Sequence, residues 1–222
     1  GSALLQTVVC SLVGYGFARF RFKGREVLFL LVVFTIIVPP QAIINTLYMT
    51  MRFFHIPIAS LFIGPVNLLD TPFAFWVQGL FGMGLRSGLF IFIYRQFYRG
   101  LPSDLESAAL IDGCSPLQTY LRVMLPNAVM VMVTVFMFSL VWHWNDAYTT
   151  SILSPNNRTL SVALSDLRIV VYRLNDAGGD DPVITQVRVQ AGALLSILPM
   201  LILFLFTQKT FTESIERTGI VG

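Results

Sequence analysis

Residues 101–126, LPSDLESAALIDGCSPLQTYLRVMLP, carry charge and helical amphipathicity between long apolar runs, a combination suited to docking a soluble partner. Ser103, with Glu106 three residues on, reads as a capping box that satisfies free amides at a helix start. Leu105, Ala108 and Ala109 share one helical face. Gly113 suits a left-handed helix end. Ser115, Pro116 and Gln118 read as a second box with proline at the first helical position. The spacing predicts a helix of about nine residues, roughly 13 Å long, too short to span a bilayer and so lying at its surface. A glycine elbow follows, then a second helix that runs through Leu125-Pro126 into a membrane span.

Other polar residues stand in apolar surroundings. Arg86 falls within an apolar run, where burial at a helix centre costs about 2.5–3.5 kcal/mol. It must face protein or water, either as a pathway or gating group or as a structural ion pair, with Asp70 as a candidate partner. Asn145 and Asp146 close another run beside Trp142 and Trp144. Hydrogen bonds plus aromatic faces are what sugar recognition uses, although tryptophan at an outer interface also serves as a membrane belt. Gln186 and Gln190 flank the start of the last run, in an outer vestibule or at a plain interface. Pro39-Pro40 and Pro126 each remove a backbone donor, so they act as hinges or as shapers of the bundle.

Catalytic constellations are missing from the sequence. It has no Ser-His-Asp set, no His-Glu-x-x-His, no P-loop and no acids clustered within the apolar runs. His55 and His143 are isolated, without metal-ligand spacing. Cys10 lies in an apolar run and Cys114 in the elbow, which argues against a structural disulfide.

The elements that must position these groups follow from composition. Of 222 residues, 55% are hydrophobic and 12% charged, about half the charge of a soluble domain. This is a membrane protein in contact with lipid. Its net charge of +3 does not point to nucleic acid, because the basic residues cluster beside the apolar runs. One transmembrane domain covers 1–222, with spans at about 3–18, 27–50, within 57–94, 124–142 and 189–207. Arg19, Arg21, Lys23 and Arg25 crowd the first connector. Arg95, Arg99 and Arg122 flank the elbow, and Lys209 and Arg217 follow the last span. The positive-inside rule places all three regions in the cytoplasm and the loop 143–188 outside. Segment 57–94 must then cross once despite its length, which predicts a break near Asp70-Thr71-Pro72 or around Gly79–Gly84. The first run falls short of a full span and enters from outside, so an earlier helix is expected, making these spans two to six of six.

The elbow resembles that of ABC-importer permeases, whose pattern is Glu-Ala-Ala, three residues, Gly, nine residues, Ile, one residue, Leu-Pro. Ala108, Ala109, Gly113, Val123, Leu125 and Pro126 fall in register. Ser107 stands where the family has Glu, and Glu106 lies one residue earlier, about 100° away around a helix. GYGFARFRFKGRE, SGLFIFIYRQFYRGLP, Trp144-Asn145 and the C-terminal ILPMLILFLFTQKTFTESIERTGIVG resemble the carbohydrate-type members of the family, related to the smaller maltose permease. The region 70–84 is longer than the common version.

The resemblance implies an all-α, polytopic membrane helix bundle of the type I ABC importer permease kind, in a prokaryotic cytoplasmic membrane. It implies a second homologous permease, an ATPase homodimer docked on the elbow, and an extracytoplasmic sugar-binding protein that touches the outer loop around Gly178-Gly179-Asp180-Asp181-Pro182. The coupling residues it implies are Glu106, Ser107, Ala108, Ala109, Asp112, Gly113, Leu125 and Pro126. Arg86, Asn145, Asp146 and Gln190 are candidates for the solute pathway. ATP and Mg belong to the partner ATPase, with no cofactor in this chain. The solute is a sugar, an oligosaccharide for choice, or another polar solute. A stand-alone secondary transporter is the competing class, and it would call for paired intramembrane charges or inverted repeats.

Overall fold

The computed structural model of the chain describes residues 1–55, 64–157, 159–176 and 182–219. Among them the regular structure is helical, apart from one isolated bridge between Phe54 and Val66. In order the helices are α1 Ser2–Arg19, α2 Arg25–Ile37, α3 Pro40–Arg52, α4 Phe73–Leu80, α5 Ser87–Gly100, α6 Ser103–Ile111, α7 Pro116–Asn127, α8 Val129–Asn145, α9 Ala147–Leu153, α10 Leu160–Asp176 and α11 Pro182–Gly219.

Of the five expected spans, the described helices show which are continuous and which are broken. One stretch, Gln186–Gln208, is long and apolar enough to cross a membrane. The number rises to three if α2 with α3, and α7 with α8, each count as one bent span. Local chemistry accounts for the breaks. Val38 precedes Pro39 and is driven into extended backbone at φ −68°, ψ 119°, since a residue before proline avoids the helical region. Run 27–50 therefore divides at that point. Within 57–94 both expected breaks occur: Asp70 adopts φ 60° ahead of α4, and Gly82 and Arg86 adopt φ 66° and φ 63° between α4 and α5. The stretch 143–188, expected as a loop, is largely α9, α10 and the start of α11. The turn 178–181 and Arg158 lie outside the described residues.

The described residues fall into two compact units. The first comprises Gly1–Ala42, Phe75–Leu140 and the stretch from Lys209; the second comprises Ile43–Ala74 and Val141–Gln208.

In the first unit α1 runs against α5, and α2 packs on α5 as well. The buried residues of α1 are Ala3, Gln6, Thr7, Cys10, Ser11, Gly14 and Tyr15, a stripe of alternating three- and four-residue steps. It is small and polar, while the apolar Leu4, Val8 and Leu12 are exposed. Such inversion suits a helix whose polar side faces protein. Close approach needs Gly14, where a Cβ would meet the Tyr94 Cβ at 2.5 Å. Gln6 satisfies the polar interior: its Nε2 donates to the Leu85 carbonyl and to Ser87 Oγ at 2.7 Å each, and its Oε1 accepts from Ser139 Oγ at 2.6 Å.

In the second unit Asp70 is the knot. Its N–H donates to the Leu153 carbonyl at 3.0 Å, and its carboxylate accepts from the Asn156 backbone and side chain at 2.9 Å each. Its carbonyl accepts from Asn157 Nδ2 at 2.7 Å. Gly192 lets α11 approach Leu164 and Leu167 of α10.

Candidate functional site

The elbow lies wholly within the first unit. Helix α6 covers Ser103–Ile111, nine residues as the sequence predicts. Its start differs from expectation. Pro102 occupies the cap position without a side-chain hydrogen bond, and Ser103 is already helical. The Ser103–Glu106 box does not form, because the Glu106 carboxylate is engaged elsewhere. Tyr15 Oη donates to Glu106 Oε1 at 2.9 Å, and Arg19 Nε lies 3.6 Å from Glu106 Oε2. Arg19 Nη2 also donates to the Leu101 carbonyl, just ahead of α6, at 2.7 Å. A hydrogen bond to a charged group contributes about 1.5–3 kcal/mol, more than a capping contact would return.

The end of α6 is a glycine cap of Schellman type. The Gly113 N–H donates to the Leu110 carbonyl at 3.1 Å, and the Cys114 N–H to the Ala109 carbonyl at 3.0 Å. The geometry requires the left-handed backbone that Gly113 supplies, φ 84°. The second capping box is present: Ser115 Oγ accepts from the Gln118 N–H at 3.3 Å, and Gln118 Oε1 accepts from the Ser115 N–H at 2.8 Å.

Helix α7 then departs from a plain helix. Tyr120–Met124 make a π-helical turn before Leu125-Pro126. Pro126 has no N–H to give, and a wider turn upstream is one way to absorb a missing donor. Asn127 Nδ2 donates to the Val123 carbonyl at 2.8 Å. At Ala128 the chain bends by 79° between α7 and α8, so α7 does not run straight into the following span.

The elbow presents two faces. Ala109 is buried, as are Thr119, Tyr120 and Met124 behind it. Tyr15, Tyr98 and Tyr120 cluster with ring centroids 5.1–6.4 Å apart. Ser11 Oγ bonds to Tyr98 Oη at 2.8 Å and accepts from Tyr120 Oη at 3.1 Å. Burial pushes the Tyr120 phenol up, so the cluster stays uncharged. On the other face Ser107, Ala108, Asp112 and Gly113 are exposed beside Leu105, Leu110, Leu117 and Ile111, the last 86% exposed. Leu105, Leu110, Ile111 and Leu117 thus leave apolar side chains exposed on α6 and at the start of α7. Ser107 turns its hydroxyl back to the Ser103 carbonyl at 3.2 Å.

The pathway candidates are placed as follows. Arg86 is exposed and caps α5 in left-handed backbone. It lies in the loop before that helix and not at a helix centre. Asn145 ends α8, exposed, with its Nδ2 on the Val141 carbonyl at 3.0 Å. Asp146 caps α9 by accepting the Thr149 N–H at 3.0 Å. Gln186 and Gln190 are exposed on α11. In the second unit Trp144 Nε1 donates to the Ser196 carbonyl at 3.1 Å, tying the end of α8 to α11. The Tyr15–Glu106–Arg19 contact was not legible from spacing, since its members lie 91 residues apart.

Comparison with known proteins bears on this geometry. Residues 10–211 match the family described as "Binding-protein-dependent transport system inner membrane component". The arabinooligosaccharides transport system permease protein AraQ of Bacillus subtilis is 27% identical, over 100% of this chain and 69% of its own length. The lactose transport system permease protein LacG of Rhizobium radiobacter is 28% identical, over 94% and 67%. A crystal structure of a bacterial ABC transporter that imports the acidic polysaccharide alginate superposes with a TM-score of 0.60 at 20% identity, covering 95% of this chain and 74% of that one.

Proposed function

The chain belongs to the family of binding-protein-dependent transport system inner membrane components, and from that premise we propose that it carries a sugar through a membrane under the drive of ATP. As an ABC importer permease it has the all-α type I fold. The finer reading is a multi-pass subunit of a prokaryotic cytoplasmic membrane that forms half of a solute pathway with a second, homologous permease. An ATPase homodimer docks on the elbow and holds the ATP and Mg. An extracytoplasmic binding protein delivers the solute. An oligosaccharide is favoured because relatives are named for arabinooligosaccharides and lactose.

The observation that carries the coupling role is the elbow itself. Its exposed apolar knob around Ile111 has no use in a lone bundle, while its buried face is fastened to α1. ATPase closure would pull the knob, and rigid helices would pass that motion inward. Arg86, Asn145, Asp146 and Gln190 are proposed to meet solute.

The test captures the chain from its own membranes through an affinity tag and identifies what comes with it by mass spectrometry. A P-loop ATPase, a second permease and a binding protein should copurify, and vesicle uptake of labelled arabino-oligosaccharide should stop when ATP is depleted. Recovery of the chain alone, with uptake insensitive to ATP, would favour a secondary transporter instead.

A further inference from the structure

We propose that Glu106 is a positioning residue for coupling, with Tyr15 and Arg19 as its latch, so that α1 is the helix through which elbow motion enters the membrane. The proposal rests on the importer reading above and adds the route.

Three observations converge. Arg19, in the last turn of α1, grips both the entry to α6, through the Leu101 carbonyl at 2.7 Å, and its middle, through Glu106 at 3.6 Å. Its Nε is buried with no hydrogen-bond partner within reach, so the Glu106 carboxylate supplies its compensation. Tyr15, one turn earlier on α1, is 1% exposed and reaches the other carboxylate oxygen. The Tyr15 ring is itself wedged against Tyr98 of α5 and Tyr120 of α7. A pull on α6 thus meets three helices that cannot slide independently.

The carboxylate position matters too. Glu106 sits one residue before the position where the elbow pattern puts its Glu, and that place is filled by Ser107, which is exposed. The carboxylate of this elbow is turned inward to its own chain and not outward to the docking face. The chemistry needed is a charge-assisted, two-point hold on a short helix, which Glu supplies through both oxygens.

The experiment uses the intact complex captured through this chain, with spin labels at Leu12→Cys on the exposed face of α1 and Asp104→Cys on α6, in a Cys114→Ser background. Distances are measured by double electron–electron resonance, without nucleotide and after trapping with ATP and vanadate. With the latch intact, one narrow distance should persist in both states. Glu106→Gln and Tyr15→Phe should each broaden it, and the double variant should broaden it no further. In the same preparations, stimulation of ATP turnover by the binding protein loaded with mixed arabino-oligosaccharide should fall at least about fivefold. Subunit stoichiometry should stay that of the wild type.

A narrow distance retained in both single variants, or additive broadening in the double variant, overturns the latch alone. A wild-type complex that contains no ATPase overturns both the latch and the importer reading.

Discussion

Arg95 shows how one side chain can organise a membrane-surface junction. It is 5% exposed, and its guanidinium has three partners. Its guanidinium lies over the Phe29 ring at 3.7 Å, its Nη2 donates to Glu26 Oε2 at 2.7 Å, and its Nε donates to the Phe17 carbonyl at 3.4 Å. The planar fork and its face are both used, which lysine could not reproduce. Glu26, just before the apolar run begins at Val27, is shared between Arg95 and Arg25. The Arg25 hydrogen bond, then the Arg95 charge, hold its carboxyl below the ordinary value of 4.5. A depressed carboxylate contributes stability that is present above the unfolded value and lost as pH falls through the folded one. The thermal midpoint of Glu26→Gln should therefore lie below that of the parent at neutral pH, by a gap that stays constant down to about pH 5. Below 4.5 the gap should close. A gap that widens on acidification would show that Glu26 does not hold this junction through its charge.

At the scale of elements, the elbow divides into parts set by neighbours in sequence and parts set by distant contacts. The glycine cap and the Ser115–Gln118 box are local: their donors and acceptors lie within five residues, so residue type and spacing suffice to read them. Ser103 and Glu106 have the same local signature, but Tyr15 and Arg19, folded alongside, compete for the carboxylate and win. Arg86 was misplaced for a related reason. Its run reads as apolar on both sides of it, and the break expected around Gly79–Gly84 extends to Arg86, where φ is 63°. The π turn before Pro126 had no sequence signal beyond the proline itself. The prediction that belongs here concerns Gly113. A β-branched residue in left-handed backbone costs about 1–2 kcal/mol, and nothing crowds the site sterically. Gly113→Val should leave the complex assembled but lower sugar uptake per ATP hydrolysed, while Gly113→Asn, which tolerates that backbone, should keep most of it. Equal ratios in Gly113→Val and the parent would remove the elbow from the coupling route.

For the whole molecule, bent helix pairs interrupt the apolar runs, so charge and contacts are what bear on how the chain threads the bilayer. Charge does better than length here. Arg19, Arg21, Lys23 and Arg25 before α2, and Arg95, Arg99 and Arg122 around the elbow, predict that connector and elbow lie on one side. The latch agrees independently, since Arg19 at the end of α1 touches Leu101 and Glu106 at the head of the elbow. Two groups in hydrogen-bond contact must share a membrane face. Thr159, one apolar run beyond the elbow, is expected on the other face. Lys23→Cys and Thr159→Cys lie at exposed positions that test this, the second giving up a hydroxyl contact with Ser161 Oγ at 3.0 Å. With Cys114 replaced by serine and Cys10 fully buried, a membrane-impermeant maleimide should modify Lys23→Cys only in inside-out vesicles and Thr159→Cys only in right-side-out ones. Labelling of both from one side would mean that α7 with α8 turns back within the bilayer, because the Arg19 contacts already hold connector and elbow on one face. The 79° bend at Ala128 would then mark a re-entrant pair and not a bent span.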